Sequence, residues 1–226
     1  MQSKTKNKEL QLFIILTSLF IAALITCNLI ANKFVLIDLG FKTFIVSAGI
    51  LPYPITFLIT DILSEIYGRK MTNKVVMSGF FASMMVLFFL WLGSQPSAIE
   101  TSPVNDDTYN TVFRNAWRVM GASMIAYLSA QFLDVKLFHF WKNLTKGKHL
   151  WLRNNASTIG SQLVDTTLVI CVLFIGVWEK GDIIQAIIDG WIFKMLCALI
   201  DTPIFYMCTS YFKGKFGLEL NEEVSL

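Results

Sequence analysis

The sequence predicts an all-α integral membrane protein, and three observations point to it. Of 226 residues, 54% are hydrophobic and 15% are charged, with 19 Phe and a mean hydropathy of +0.57. A soluble domain of this size needs more surface charge. Charge-free stretches run over 10–32, 43–60 and 75–99, each close to or above the roughly 20 residues that cross a bilayer core. Finally, Lys and Arg crowd alternate loops, as expected when cytoplasmic loops carry the positive charge.

The chain is read as one transmembrane domain, 1–226, with six spans near 11–32, 50–67, 74–94, 116–136, 155–178 and 186–211. The first span follows Lys4, Lys6 and Lys8 but is too long for a signal peptide and runs on through Asn28 and Asn32, so it is expected to be retained. Next, 34–49 places β-branched and aromatic residues on both sides of Asp38-Leu39-Gly40, the pattern of a hairpin or re-entrant segment on the outer face. Pro52 and Pro54 stand at the outer start of the second span. The third span leads into 93–110, a polar outer segment with two proline residues, long enough for either a lid or a tether. The last three spans are less apolar, because Arg118, Asp134, Asp165, Asp189, Lys194 and Asp201 interrupt them.

Arg69, Lys70 and Lys74, then Lys136, Lys142, Lys146, Lys148 and Arg153, then Lys213 and Lys215 fall on the same side as the N-terminal lysines. The other side holds Lys33, Lys42, Arg114 and Lys180 among several acids. Both termini are therefore expected in the cytoplasm. The echo of "LITD" (58–61) in "QLVD" (162–165), with "ALID" (198–201) alike, is compatible with a three-plus-three inverted repeat, the plan of many secondary transporters.

Asp61 and Glu65 are four residues apart and share one helix face. A carboxylate at mid-membrane costs about 2.5–3.5 kcal/mol on insertion scales, so such residues point to binding or proton relay. Glu65, near Arg69 and Lys70, has the alternative of a helix-end ion pair, and Asp165 that of a buried link to Arg118 or Lys194. Gln162 and Asp165 are i and i+3; Asn28 and Asn32 are i and i+4; Arg118, Ser123, Tyr127 and Gln131 fall near one face. Pro203, lacking an N–H, frees a carbonyl beside Asp201. Of Asn154 and Asn155, one suffices as an N-cap, leaving Asn155 for a cavity. The candidate substrate-binding set is Asn28, Asp61, Glu65, Arg118, Tyr127, Gln131, Asn155, Gln162, Asp165 and Asp201. No catalytic residue, metal or cofactor is expected, and the four cysteines lack metal-like spacing.

"SAGILPYPITFLITDILSEIYGRK" (47–70), "WRVMGASMIAYLSAQFLD" (117–134), "LWLRNNASTIGSQLVDT" (150–166) and "LIDTPIFY" (199–206) resemble, in order, sequence blocks of the bacterial queuosine precursor transporters, a vitamin-uptake-like membrane family. The outer segment at 93–110 does not match. The resemblance implies a multi-pass inner-membrane protein importing 7-cyano-7-deazaguanine or 7-aminomethyl-7-deazaguanine. A guanine-like edge presents adjacent N–H donors to a carboxylate, and Phe57, Tyr67, Tyr127, Phe205 and Tyr206 are candidates to stack on its ring. The implied partners are membrane lipid and this small molecule, with no nucleic acid; a homo-oligomer stays open. A secondary carrier is the first reading and a substrate-binding subunit of an energy-coupled importer the second. This chain has no G-x-x-x-x-G-K-[ST] for nucleotide hydrolysis, and no H-E-x-x-H or G-x-S-x-G to suggest an enzyme.

Overall fold

A computed structural model describes residues 2–31, 33–40, 42–113, 116–174, 176, 178–219 and 222–224. Among them are helices α1 (Gln2–Ile30), α2 (Tyr53–Ile66), α3 (Gly68–Gly93), α4 (Asp106–Phe113), α5 (Ala116–Leu144), α6 (Leu150–Phe174) and α7 (Lys180–Phe216). Strands β1 (Phe34–Asp38) and β2 (Thr43–Ser47) form an antiparallel hairpin, and a single 3-10 turn, Ala48–Ile50, leads into α2.

Among the described residues, four stretches are long and apolar enough to cross a membrane: Lys6–Ile30, Ala48–Ile66, Gly68–Gly93 and Lys180–Phe216. The other two long helices, α5 with 29 residues and α6 with 25, span roughly 44 and 38 Å at about 1.5 Å per residue. Both helices turn polar side chains inward: Gln131 and Asp134 on α5, and Arg153, Ser161, Gln162 and Asp165 on α6, are all buried. Lipid-facing character lies on the opposite faces of these helices, at Ile125, Phe140, Leu168 and Val172, and on α1, α3 and α7, where Ile14, Leu19, Phe81, Met85, Phe89, Ile200 and Met207 are exposed. Beneath them Phe20, Leu63, Ile66, Val76, Phe138 and Phe205 form the central apolar core.

Several boundaries differ from the sequence expectation: α5 runs on to Leu144 and α6 begins at Leu150, so Asn154 and Asn155 lie inside the helix and neither is its N-cap. A short basic loop was expected between a span ending near 67 and one starting near 74, but α3 begins at Gly68, directly after Tyr67. Gly68 has φ +76°, and a side chain there would collide with Glu223. That reversal replaces the loop and puts Arg69, Lys70 and Lys74 on the first turns of α3. Meanwhile α7 runs unbroken for 37 residues through Pro203, about 55 Å and far longer than a hydrocarbon core of about 30 Å.

The hairpin pairs Phe34 with Ser47 and Asp38 with Thr43, as the pattern at 34–49 suggested. Gly40, at φ +81°, donates its N–H to Asp38 Oδ1 at 2.9 Å and closes the turn. Phe44 and Val46 point inward, with the Phe44 ring 5.5 Å from that of Phe193 on α7, and Lys42 forms an ion pair with Asp189 of α7. The outer segment folds back: Tyr109 of α4 donates its hydroxyl to Leu90 O of α3 at 3.0 Å. At the other end, Tyr67 OH bonds Glu9 O at 2.7 Å, Val224 N bonds Ile66 O at 2.7 Å, and Lys142 pairs with Glu223 at 3.0 Å. The start of α1, the α2–α3 turn, the end of α5 and the C-terminal segment therefore meet there.

Candidate functional site

Helix α6 carries a column of polar side chains, and α2, α5 and α7 place their own polar groups against it. Nearest the hairpin, Asp165 Oδ2 accepts from Lys194 Nζ of α7 at 2.6 Å. Both side chains are largely buried, and the ammonium sits 4.3 Å from the centre of the Tyr53 ring. This pair forms part of the wall of a cavity of about 640 Å³, bounded also by α1 (Leu24, Cys27, Asn28), the hairpin end (Val46, Ser47), Tyr127 of α5 and the first turns of α7. That volume lies within the usual range of small-molecule sites, about 300–1,000 Å³.

Deeper, a cleft with free space of about 20 Å³, little more than one water molecule, is lined by Asp61, Asn154, Thr158, Gln162, Asp201 and Phe57. Tyr53 and Lys194 line both spaces and partition them. Tyr53 is braced by Phe57 and Tyr127, with ring centres at 5.2 and 6.1 Å. Several polar atoms here are buried without a protein hydrogen-bond partner: both amide atoms of Gln162, Asn154 Oδ1 and Thr166 Oγ1. Leaving such groups unpaired costs about 1–3 kcal/mol each, which a polar ligand or water in these spaces offsets.

Behind the cleft, the carboxyls of Asp61 and Asp134 lie within hydrogen-bonding reach of each other, and Ser161 Oγ donates to Asp134 Oδ1 at 2.9 Å. Beyond them the column ends in a closed charge cluster. Glu65 Oε1 accepts from Arg153 at 2.6 Å and also from Lys213, joining α2, α6 and α7. Arg153 further donates to Gly147 O at 3.2 Å, between α5 and α6.

Of the residues singled out in the sequence, Asn28, Tyr127 and Asp165 line the larger cavity, and Asp61, Gln162 and Asp201 line the cleft. Gln131 is buried one turn from Asp134. Asn155 is not in either lining; it ties α6 to α7, donating to Thr202 Oγ1 at 2.8 Å. Glu65 likewise lies outside both linings, held by Arg153 and Lys213 rather than by Arg69 and Lys70, which are exposed. The Asp165 partner is Lys194. The other suggested partner, Arg118, has a side chain outside the described residues, as has Ser123. Among the stacking candidates, Phe57 and Tyr127 reach the cavities, whereas Tyr67 and Phe205 pack in the core and Tyr206 caps the start of α6 by accepting from Trp151 N at 2.9 Å.

Sequence reasoning missed Tyr53, Asn154, Thr158 and Asp134. Asp134 had a signal, since Tyr127, Gln131 and Asp134 recur at helical spacing on one face. Tyr53 had one as well, standing between Pro52 and Pro54.

The family model described as "Putative vitamin uptake transporter" matches residues 47–208, from the end of β2 to α7, and includes every wall of the cleft. The chain belongs to this family. "Probable queuosine precursor transporter" of Bacillus subtilis (strain 168) is 30% identical over 159 residues, 70% of this chain and 69% of the relative. "Queuosine precursor transporter" of Escherichia coli (strain K12) is 26% identical over 188 residues, 81% of this chain and 75% of the relative. No solved structure matches. As a vitamin uptake transporter family member with several membrane-crossing helices, the chain is a multi-pass protein of the bacterial inner membrane.

Proposed function

We propose that the chain is a secondary carrier that imports queuosine precursors, 7-cyano-7-deazaguanine or its aminomethyl relative, through six spans with both termini in the cytoplasm. The observation that carries this reading is the Asp165–Lys194 pair on the wall of the larger cavity, over the Tyr53 ring. A deazaguanine edge sets a carbonyl acceptor beside N–H donors, and an adjacent ammonium and carboxylate are its complement. Tyr53 and Tyr127 supply aromatic faces for the ring. Gln162 and Asp61, next in line, receive the base as it moves inward.

The larger cavity lies at the hairpin end, and the Glu65–Arg153–Lys213 cluster closes the opposite end. This arrangement corresponds to a carrier state loaded from outside. Transport requires Tyr53 to swing aside and the inner cluster to part, so that only one closure opens at a time.

Uptake of radiolabelled 7-cyano-7-deazaguanine by the purified chain in liposomes tests the reading. Saturable uptake by the native chain, lost in Asp165→Asn and in Asp61→Asn, is the expected outcome. No uptake by folded native protein would instead favour a binding subunit that needs an energising partner, or a different cargo.

A further inference from the structure

Asp61 and Asp134 face each other from α2 and α5 with only 2% and 0% of their surfaces exposed. Neither carboxyl forms an ion pair among the described residues. The polar and charged groups around them come from α6 and α7, and Lys194 of α7 lines the same cleft as Asp61. Ser161 and Ser157 of α6 present hydroxyls to Asp134, and Asp201 of α7 adds a third acid. Arg153 of α6, the nearest cation, is already committed to Glu65, one turn beyond Asp61 on α2, and to Gly147 O. Asp61 Oδ1 and Asp134 Oδ2 have no other hydrogen-bond donor.

A carboxylate has no hydrogen to donate, so a hydrogen bond between two carboxyls needs one proton between them. Asp61 also lines the cleft, whereas Asp134 lines neither space and is fully buried.

We propose that Asp61 and Asp134 form a proton-sharing pair that couples transport to the proton gradient, a role that rests on the carrier reading above. The pair cycles between one and two protons. Facing the proton-rich side, its free carboxylate takes up a second proton and both carboxyls become neutral. Facing the other side, that O–H proton returns to water and the single-proton hydrogen bond re-forms. One proton enters and one leaves per cycle, and no bond other than O–H is made or broken. Asp134 acts here as a positioning partner that never touches the cargo, which distinguishes it from the cavity residues.

Two measurements on the full chain test this independently. Infrared difference spectra of native protein against Asp134→Asn should show a protonated-carboxyl C=O band, sensitive to exchange into D2O, in the native protein alone. The Asn amide donates to Asp61 in place of the shared proton and keeps nearly the same volume. In liposomes, Asp134→Asn should lose accumulation of radiolabelled 7-cyano-7-deazaguanine under an acid-outside gradient by about tenfold, within the range of ordinary coupling energies. Counterflow exchange, which needs no net proton movement, should persist at a reduced rate. No such band in the native protein, or native-like gradient-driven accumulation by the variant, overturns the pair. Equal loss of exchange and accumulation overturns its coupling role. A native band with no transport by the native chain would leave the pair standing and remove the carrier reading.

Discussion

Lys194 and Asp165 meet at 2.6 Å across the interface between α6 and α7, with side-chain exposures of 13% and 3%. Removing one member of such a pair leaves a buried charge alone, at a cost of about 3–5 kcal/mol. Lys194→Met is therefore expected to lower the melting temperature in detergent sharply. The double variant Lys194→Met, Asp165→Asn should recover much of the loss while binding no cargo. Equal melting of the single and double variants would show the two residues to be uncoupled.

Glu65 joins three helices through Arg153 and Lys213. In Glu65→Gln the two cations face each other without a counter-charge, and destabilisation of about 3–5 kcal/mol is expected from thermal melts. Arg153→Lys should rescue poorly, because the guanidinium reaches Glu65 and Gly147 O together, a geometry an ammonium does not reproduce.

The Lys42–Asp189 pair pins the hairpin to α7 at the rim of the larger cavity and is partly exposed. Pairs of that kind contribute about 0–1 kcal/mol. Lys42→Gln should leave global stability nearly unchanged and speed alkylation of Cys27, a buried thiol on the cavity wall, in a chain with the other three cysteines replaced by Ser. An unchanged alkylation rate would mean that the hairpin does not govern access.

Tyr53 separates cavity from cleft by its ring. Tyr53→Phe keeps that ring and its contact with the Lys194 ammonium, so it should retain most of the affinity for cargo. Tyr53→Ala loses stacking and the cation–π contact, worth about 0.5–2 kcal/mol each, and should raise Kd by roughly ten- to a hundredfold. Equal effects of the two substitutions would assign the role to the hydroxyl.

Long charge-free stretches made α1, α2 and α3 legible as helices able to cross a membrane, α7 was read as a span despite Asp189, Lys194 and Asp201, and the hairpin was visible in residues flanking Asp38 and Gly40. Helix boundaries were less so: the reversal at Gly68 depends on one backbone conformation and on contact with Glu223, far away in sequence. Asp61, Gln162 and Asp165 stood out because acids and amides in apolar helices are costly enough to need a reason. The partner of Asp165 was narrowed to Arg118 or Lys194, whereas Arg153 and Lys213 find Glu65 only through the packing of α2 with α6 and α7. Asn155 shows the converse limit. Its neighbour Asn154 faces the cleft, and the helical phase that sorts one from the other depends on where α6 begins, which composition leaves loose by a residue or two.

Equilibrium binding of radiolabelled 7-cyano-7-deazaguanine to the detergent-purified chain, native against Asp165→Asn, tests the central claim most directly. Charged hydrogen bonds contribute about 1.5–3 kcal/mol, so the account predicts saturable binding by the native chain and affinity weaker by roughly ten- to a hundredfold in the variant. Native-like affinity in a folded Asp165→Asn protein would contradict it.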